Sequence, residues 1–413
     1  MKKQSLWCRN YCLLMLATML GSIGGIAGSY AMSFLVFDET GSTLATGFLT
    51  ALQIVPHFLA PILIAPWMDR MPRKPVLVCG DLIGGILYGL VAIYLHKFEF
   101  SYAGYLAFSL VINSVNALDA LSFNCIFPKV IPDGFEDKGY TVSAMLYPVL
   151  NVLMMPLAAL LMDKIGVANI LFIQSGMSIL AAITENGIKI EEKLEINTEK
   201  SGFSLWLQDF KDGIRYLRGE RGLLNIYAYD AVANGAYSGI GPIMVAFFRT
   251  TPGFSAQLYA FFSAAEFIGR TIGGMFRYRT NMKPEKRRKF VYFVQQFYNV
   301  MDGLLLWLPY PAMLVNRGIC GFLGINSATV RMSSIHRYLP EEYRARVNAF
   351  SEAAICIVGS LAALLFGLMG EWMDYRLTMT IIATISMLAC WLTVGRHNKE
   401  LDKIYLYQSE NEK

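Results

Sequence analysis

From Tyr11 to Phe37 the chain reads "YCLLMLATMLGSIGGIAGSYAMSFLVF", without one charged side chain. About 20 mostly apolar residues are enough for a helix to cross the hydrocarbon core of a bilayer, so this block predicts a transmembrane helix. It is too long for a cleavable signal peptide, and similar blocks follow it to the end of the chain. The pattern predicts twelve spans, at roughly 10–36, 43–68, 75–96, 101–126, 140–163, 167–188, 222–248, 255–276, 289–308, 311–336, 346–370 and 374–395. Most connections are short, which makes consecutive spans antiparallel neighbours. The exception is 189–221, "KIEEKLEINTEKSGFSLWLQDFKDGIRYLRGER", which separates an N-terminal set of six (1–188) from a C-terminal set of six (222–413). Within this linker Leu205, Phe210, Ile214 and Leu217 recur at helical spacing. They predict an amphipathic helix lying on the membrane surface.

Composition supports an all-α integral membrane protein. The chain of 413 residues is 55% hydrophobic and 16% charged, where soluble domains run nearer a quarter charged. The net charge of +5 is explained by position. Most Lys and Arg residues fall in the termini and in the loops after even-numbered spans, while Lys97, Lys164, Arg249 and Arg376 fall on the opposite side. By the positive-inside rule both termini and the 189–221 linker are cytoplasmic, in a multi-pass protein of the cell membrane. No nucleic-acid partner is needed to explain the charge. The 7 cysteines are scattered singly, which argues against a disulfide framework or a zinc site. The 4 histidines form no metal or acid–base cluster, and no phosphate cradle or nucleophile motif is present. Neither a cofactor, a metal nor an enzymatic activity is expected.

Two other patterns bear on function. Gly21, Gly24, Gly25 and Gly28 place small residues in one region of the first span, consistent with close helix packing or with a substrate path. Between the second and third spans, "APWMDRMPRKPVL" compresses Asp69, Arg70, Arg73 and Lys74 into a short gap. This loop resembles the signature of the major facilitator superfamily of secondary transporters: glycine, three residues, Asp-Arg, two residues ending in glycine, then a basic pair. Here Ala65 and Pro72 stand at the glycine positions. "FDETGSTLATGFLTALQIVP", "FPKVIPDGFEDKGYTVSAMLYPVLN" and "LPEEYRARVNAF" resemble the drug and macrolide efflux-like branch. In the fifth span the branch's Gly-Pro-x-x-Gly cluster is reduced to "MMPLAALL". The resemblance implies two six-helix bundles, alternating access, and a cytoplasmic gate in which Asp69 faces the N-terminus of the eleventh span. The basic residues of the knot would meet carboxylates and lipid headgroups. Gly273 and Arg277 mark a degenerate second copy after the eighth span.

Ionisable residues inside spans are functional candidates by default. Asp81, Asp119, Asp230, Arg331 and Glu352 fall roughly 8–12 Å from the cytoplasmic end at ~1.5 Å rise per residue. Asp302 and Arg317 lie at about equal depth on consecutive antiparallel helices, as do Arg331 and Glu352, so each pair predicts a bridge. Glu266 lies about 16 Å deep, with Arg270 one turn further on the same face. Desolvation favours the neutral acid and a guanidinium favours the carboxylate, which makes Glu266–Arg270, with Asp302–Arg317 in reserve, candidates for proton coupling. His57, Tyr227, Tyr237, Tyr259 and Phe262 are candidates to line a substrate cavity. The expected function is proton-coupled export of amphipathic small molecules by a monomer in the lipid bilayer, with proton-coupled import of a nutrient or metabolite as the alternative. The topology has a direct check: in a cysteine-free background, Gly41→Cys and Thr251→Cys label from outside, whereas Glu199→Cys and Pro284→Cys do not. The reverse pattern overturns the orientation.

Overall fold

The computed structural model describes residues 5–63, 71–132, 135–190, 203–280 and 282–407. Helix dominates, because a backbone in hydrocarbon must satisfy its N–H and C=O groups internally. The N-terminal helices are α1 (Arg9–Thr40), α2 (Thr43–Leu63), α3 (Arg73–Lys97) and α4 (Tyr102–Val130). A further helical stretch, Glu136–Asn186, breaks at Gly166 (φ 77°, ψ 167°), a backbone conformation that suits glycine. Its arms, 136–165 and 167–186, are α5 and α6. After the linker come α7 (Phe203–Gly219), α8 (Arg221–Thr250), α9 (Ala256–Arg279), α10 (Pro284–Leu304), α11 (Tyr310–Tyr338), α12 (Glu341–Trp372), α13 (Tyr375–Cys390) and α14 (Asn398–Tyr405). Seven of the described helices are long and apolar enough to cross a bilayer, the stretch holding α5 and α6 counting as one. The twelve expected spans fall on α1–α6 and α8–α13, with 64–68 of the second lying outside the described residues.

By contacts the chain divides into two compact units, one of residues 1–41 and 52–203, the other of 42–51 and 204–413. The first turns of α2 belong with the second unit for a visible reason. The Glu371 carboxylate, at the end of α12, accepts from Ser42 Oγ (2.6 Å), Thr43 Oγ1 (3.2 Å) and the Leu44 N–H (2.9 Å). It therefore caps the start of a helix distant in sequence.

In the first unit, Gly24 and Gly28 of α1 lie against Gln174 of α6, where a Cβ on Gly24 would come within 3.1 Å of the Gln174 Cα. Gly21 and Gly25 have no such neighbour and line a cavity instead. Close packing therefore accounts for Gly24 and Gly28, and Gly28 lines the cavity together with Gly21 and Gly25. In the second unit α9 and α11 cross at glycine: a Cβ on Gly273 would lie 2.6 Å from the Phe322 carbonyl oxygen. Small residues at a crossing let backbones approach and packing contacts form.

The apolar stripe of α7 is covered by protein at Leu217. Leu217 is fully buried with Leu223, Ile226, Val347, Leu401, Ile404 and Tyr405, and Tyr216 stacks on Tyr343 with ring centroids 4.2 Å apart. This face packs on α8, α12 and α14, so protein covers it at its C-terminal end. The side chains of Leu205 and Phe210 lie outside the described residues. Helix α14 was not anticipated. It seats Leu401, Ile404 and Tyr405 in the same cluster, and Asp402 pairs with Arg288 of α10 at 2.6 Å.

Candidate functional sites: a polar cavity in each unit

The first unit encloses a cavity of about 600 Å³. Gly21 and Gly25 of α1, His57 of α2 and Asp81 of α3 line it, together with Asp119 of α4 and Gln174 and Glu185 of α6. Asp119 and Asp81 come from neighbouring helices, and Asp119 Oδ1 lies 3.1 Å from the place a Cβ on Gly80 would take. Aromatic side chains complete the wall, with Tyr88 and Phe108 meeting edge to face at 5.4 Å. Asp81, Asp119 and His57 were all singled out in the sequence, but Glu185 and Gln174 were not. Glu185 falls at the end of its span, where an acid reads as part of a loop, and a lone glutamine carries no charge signal.

The second unit holds a cavity of about 350 Å³, lined in part by Asp230, Tyr237, Arg270, Tyr298, Asp302 and Arg331. Its charges are paired. The Arg270 guanidinium donates to Glu266 Oε1 from Nε at 3.1 Å and from a terminal nitrogen at 2.7 Å. Arg317 donates to Asp302 and stands 3.8 Å from the other Glu266 oxygen. The Tyr298 hydroxyl lies 3.4 Å from both Glu266 and Arg317. The two expected pairs are thus one network across α9, α10 and α11. The two arginines differ in freedom: the Arg270 side chain is 44% exposed and that of Arg317 only 6%.

The expected Arg331–Glu352 bridge is not formed. Arg331 pairs with Asp230 of α8 at 3.2 Å, and Glu352 is exposed. Equal depth allowed either acid, and the facing side of α8 decided between them. Of the cavity candidates, Tyr237 lines the second cavity and His57 the first. Tyr227 is buried in the core cluster beneath α7. Tyr259 and Phe262 belong to an aromatic cluster around Phe248, where the Phe262 ring also faces Arg317 at 5.4 Å. Tyr298, which sequence reasoning passed over, joins the acids to the arginines.

Of the charged knot, Asp69 and Arg70 lie outside the described residues. Arg73 opens α3, and Lys74 Nζ donates to the Asn186 carbonyl oxygen at 2.8 Å.

The Major Facilitator Superfamily profile matches residues 14–295 and 286–404. The chain belongs to that family, and it is a membrane transporter, not an enzyme. Solved structures with the same fold include the nucleoside transporter NupG (TM-score 0.69, 10% identity, 96% of this chain and 99% of that one). A bacterial homologue of the human lysosomal transporter Spinster, inward-facing and unoccupied, is similar as well (TM-score 0.64, 13% identity, 97% and 98%). No curated protein matches the sequence. These comparisons carry the superfamily and the fold but give no support to the efflux-like branch.

The buried network yields a stability test. Arg317→Met leaves Asp302 without its cation, and breaking such a pair costs about 3–5 kcal/mol. Adding Asp302→Leu removes the orphaned acid and restores most of that loss. Thermal unfolding of the purified proteins in detergent checks both, and a double variant no more stable than Arg317→Met contradicts the pairing argument.

Proposed function

We propose that the chain is a proton-coupled secondary transporter of amphipathic small molecules, working by alternating access. The observation that supports coupling is the charge count around Glu266. With Arg270 engaged, two carboxylates, Glu266 and Asp302, share two guanidiniums. With Arg270 turned away they share only Arg317, and a proton makes up the deficit. Arg270 is the exposed partner and so the one able to leave, and as an arginine it does not itself give up a proton. Aromatic and amide side chains beside charged groups in both cavities suit a substrate with apolar and polar parts.

Export is the direction we favour, on the motifs at the ends of the first, fourth and tenth spans. The nucleoside transporter among the similar structures favours a second reading, symport of a nutrient or metabolite into the cell. A panel of amphipathic compounds in inside-out vesicles, with and without a proton gradient, separates the two. Export gives gradient-driven accumulation in the lumen, whereas import gives gradient-driven loss from it. Movement of every compound regardless of the gradient overturns the coupling.

In proteoliposomes Glu266→Gln still exchanges substrate down its gradient but neither accumulates it nor moves protons with it. If it retains full proton movement, the Glu266–Arg270 pair is a structural bridge and the coupling role passes to Asp302, tested as Asp302→Asn.

The cytoplasmic gate is proposed on the motif. Asp69→Asn removes an attraction to a helix N-terminus of about 0.3–1 kcal/mol, larger where partly buried. That is enough to shift a nearly balanced two-state equilibrium. Expression is expected to hold while transport slows several-fold; a parental rate would leave the knot with its topological role alone.

A further inference from the structure

In the second unit the buried acids each have a guanidinium: Asp230 has Arg331, Asp302 has Arg317, and Glu266 has Arg270. The first unit differs. Asp81, Asp119 and Glu185 line one cavity, and among the described residues none of the three forms an ion pair. Glu185 is only 4% exposed, and its Oε2 has no hydrogen-bond partner among the described residues. Asp119 Oδ1 is likewise unpartnered. Gln174, which lines the same cavity, is also 4% exposed, and its Oε1, seated over Gly28, is unpartnered. The Tyr105 hydroxyl oxygen, on the same wall, is unpartnered too. The cavity is thus rich in buried acceptors, and leaving such groups unpaired is costly.

The chemistry of an occupant follows from what these atoms lack. It brings hydrogen-bond donors or positive charge. Among the described residues no group of three or more His, Cys, Asp or Glu side chains is arranged to hold a metal ion, and the three carboxyl groups are spread along the lining. Tyr88, Phe108 and Phe123 stand on the same wall, and aromatic faces attract organic cations. At about 600 Å³ the space suits a drug-sized molecule. We propose that this cavity binds the positive pole of an amphipathic organic cation, with Glu185 and Asp119 as its principal counter-charges and Asp81 beside them. The proposal rests on the transporter reading and narrows its substrate class.

The test is equilibrium binding to the purified full chain in detergent, with no gradient present. The probes are tetraphenylphosphonium and triphenylphosphine oxide, which are similarly aromatic but differ in charge. The cation is expected to bind saturably and the neutral compound at least about tenfold more weakly, the scale of one charge–charge attraction at a partly buried site. Glu185→Gln and Asp119→Asn are each expected to weaken the cation about tenfold and leave the neutral compound unchanged. Glu352→Gln, which removes an exposed acid outside the cavity, changes neither. Equal affinity for the two probes overturns the proposal, as does cation binding unaffected by Glu185→Gln and Asp119→Asn together. Should either variant fail to fold, the two-probe comparison on the parent decides alone. Because no transport is measured, cation binding can succeed where proton coupling in vesicles fails, and the reverse.

Discussion

A guanidinium keeps its charge inside a membrane bundle, and Arg317 with a side chain 6% exposed therefore needs negative charge close by. Asp302 and Glu266 supply the negative charge, and the rings of Phe262 and Tyr298 approach it at 5.4 and 5.7 Å. These partners come from two helices, α9 and α10, and Arg317 from a third, α11, which fixes their relative rotation more tightly than apolar packing does. The glycines where α9 and α11 cross make the arrangement possible, since a bulkier residue at Gly273 would push against the backbone at Phe322. Packing and charge thus constrain the same pair of helices.

That constraint also explains which parts of the site were legible in the sequence. Glu266 and Arg270 are four residues apart on one helix, and helical geometry alone brings them together. Asp302 and Arg317 were paired through equal depth across a short connection, and the structure joins them. Applied to Arg331 and Glu352, the same reasoning failed. Depth says how far along a helix a residue lies but not which way it points. Asp230 lay at a similar depth on a helix remote in sequence, and it faces Arg331. The merging of the two expected pairs through Tyr298 had no sequence signal, because a tyrosine in a span reads as one more aromatic.

The ambiguity of an apolar stripe accounts for the rest. Leu205, Phe210, Ile214 and Leu217 announced that one face of α7 is covered, but lipid and protein select for the same residues. The structure supplies protein at Leu217, through α8, α12 and α14. Likewise "LDKIY" near the C-terminus has helical spacing at Leu401, Ile404 and Tyr405, yet eight residues carry little weight until the cluster they complete is seen. The cap that Glu371 gives to α2 had no sequence signal, because Ser42 and Glu371 lie 329 positions apart.

The two cavities stand in different electrostatic states, and this bears on how a substrate drives a cycle. A ligand shifts a conformational equilibrium only by its differential affinity for the two states. In the second unit the acids are already compensated, so an incoming cation gains there only by displacing an arginine. Arg317 is too enclosed to be displaced, while Arg270 is exposed enough to turn away. In the first unit Asp81, Asp119 and Glu185 form no ion pair among the described residues, and Glu185, Asp119 and Gln174 each keep a buried oxygen without a hydrogen-bond partner there. A cation entering that cavity, as proposed above, would have no ion pair among the described residues to break. Of the two guanidiniums in the Glu266 network, Arg270 is therefore the one exposed enough to respond.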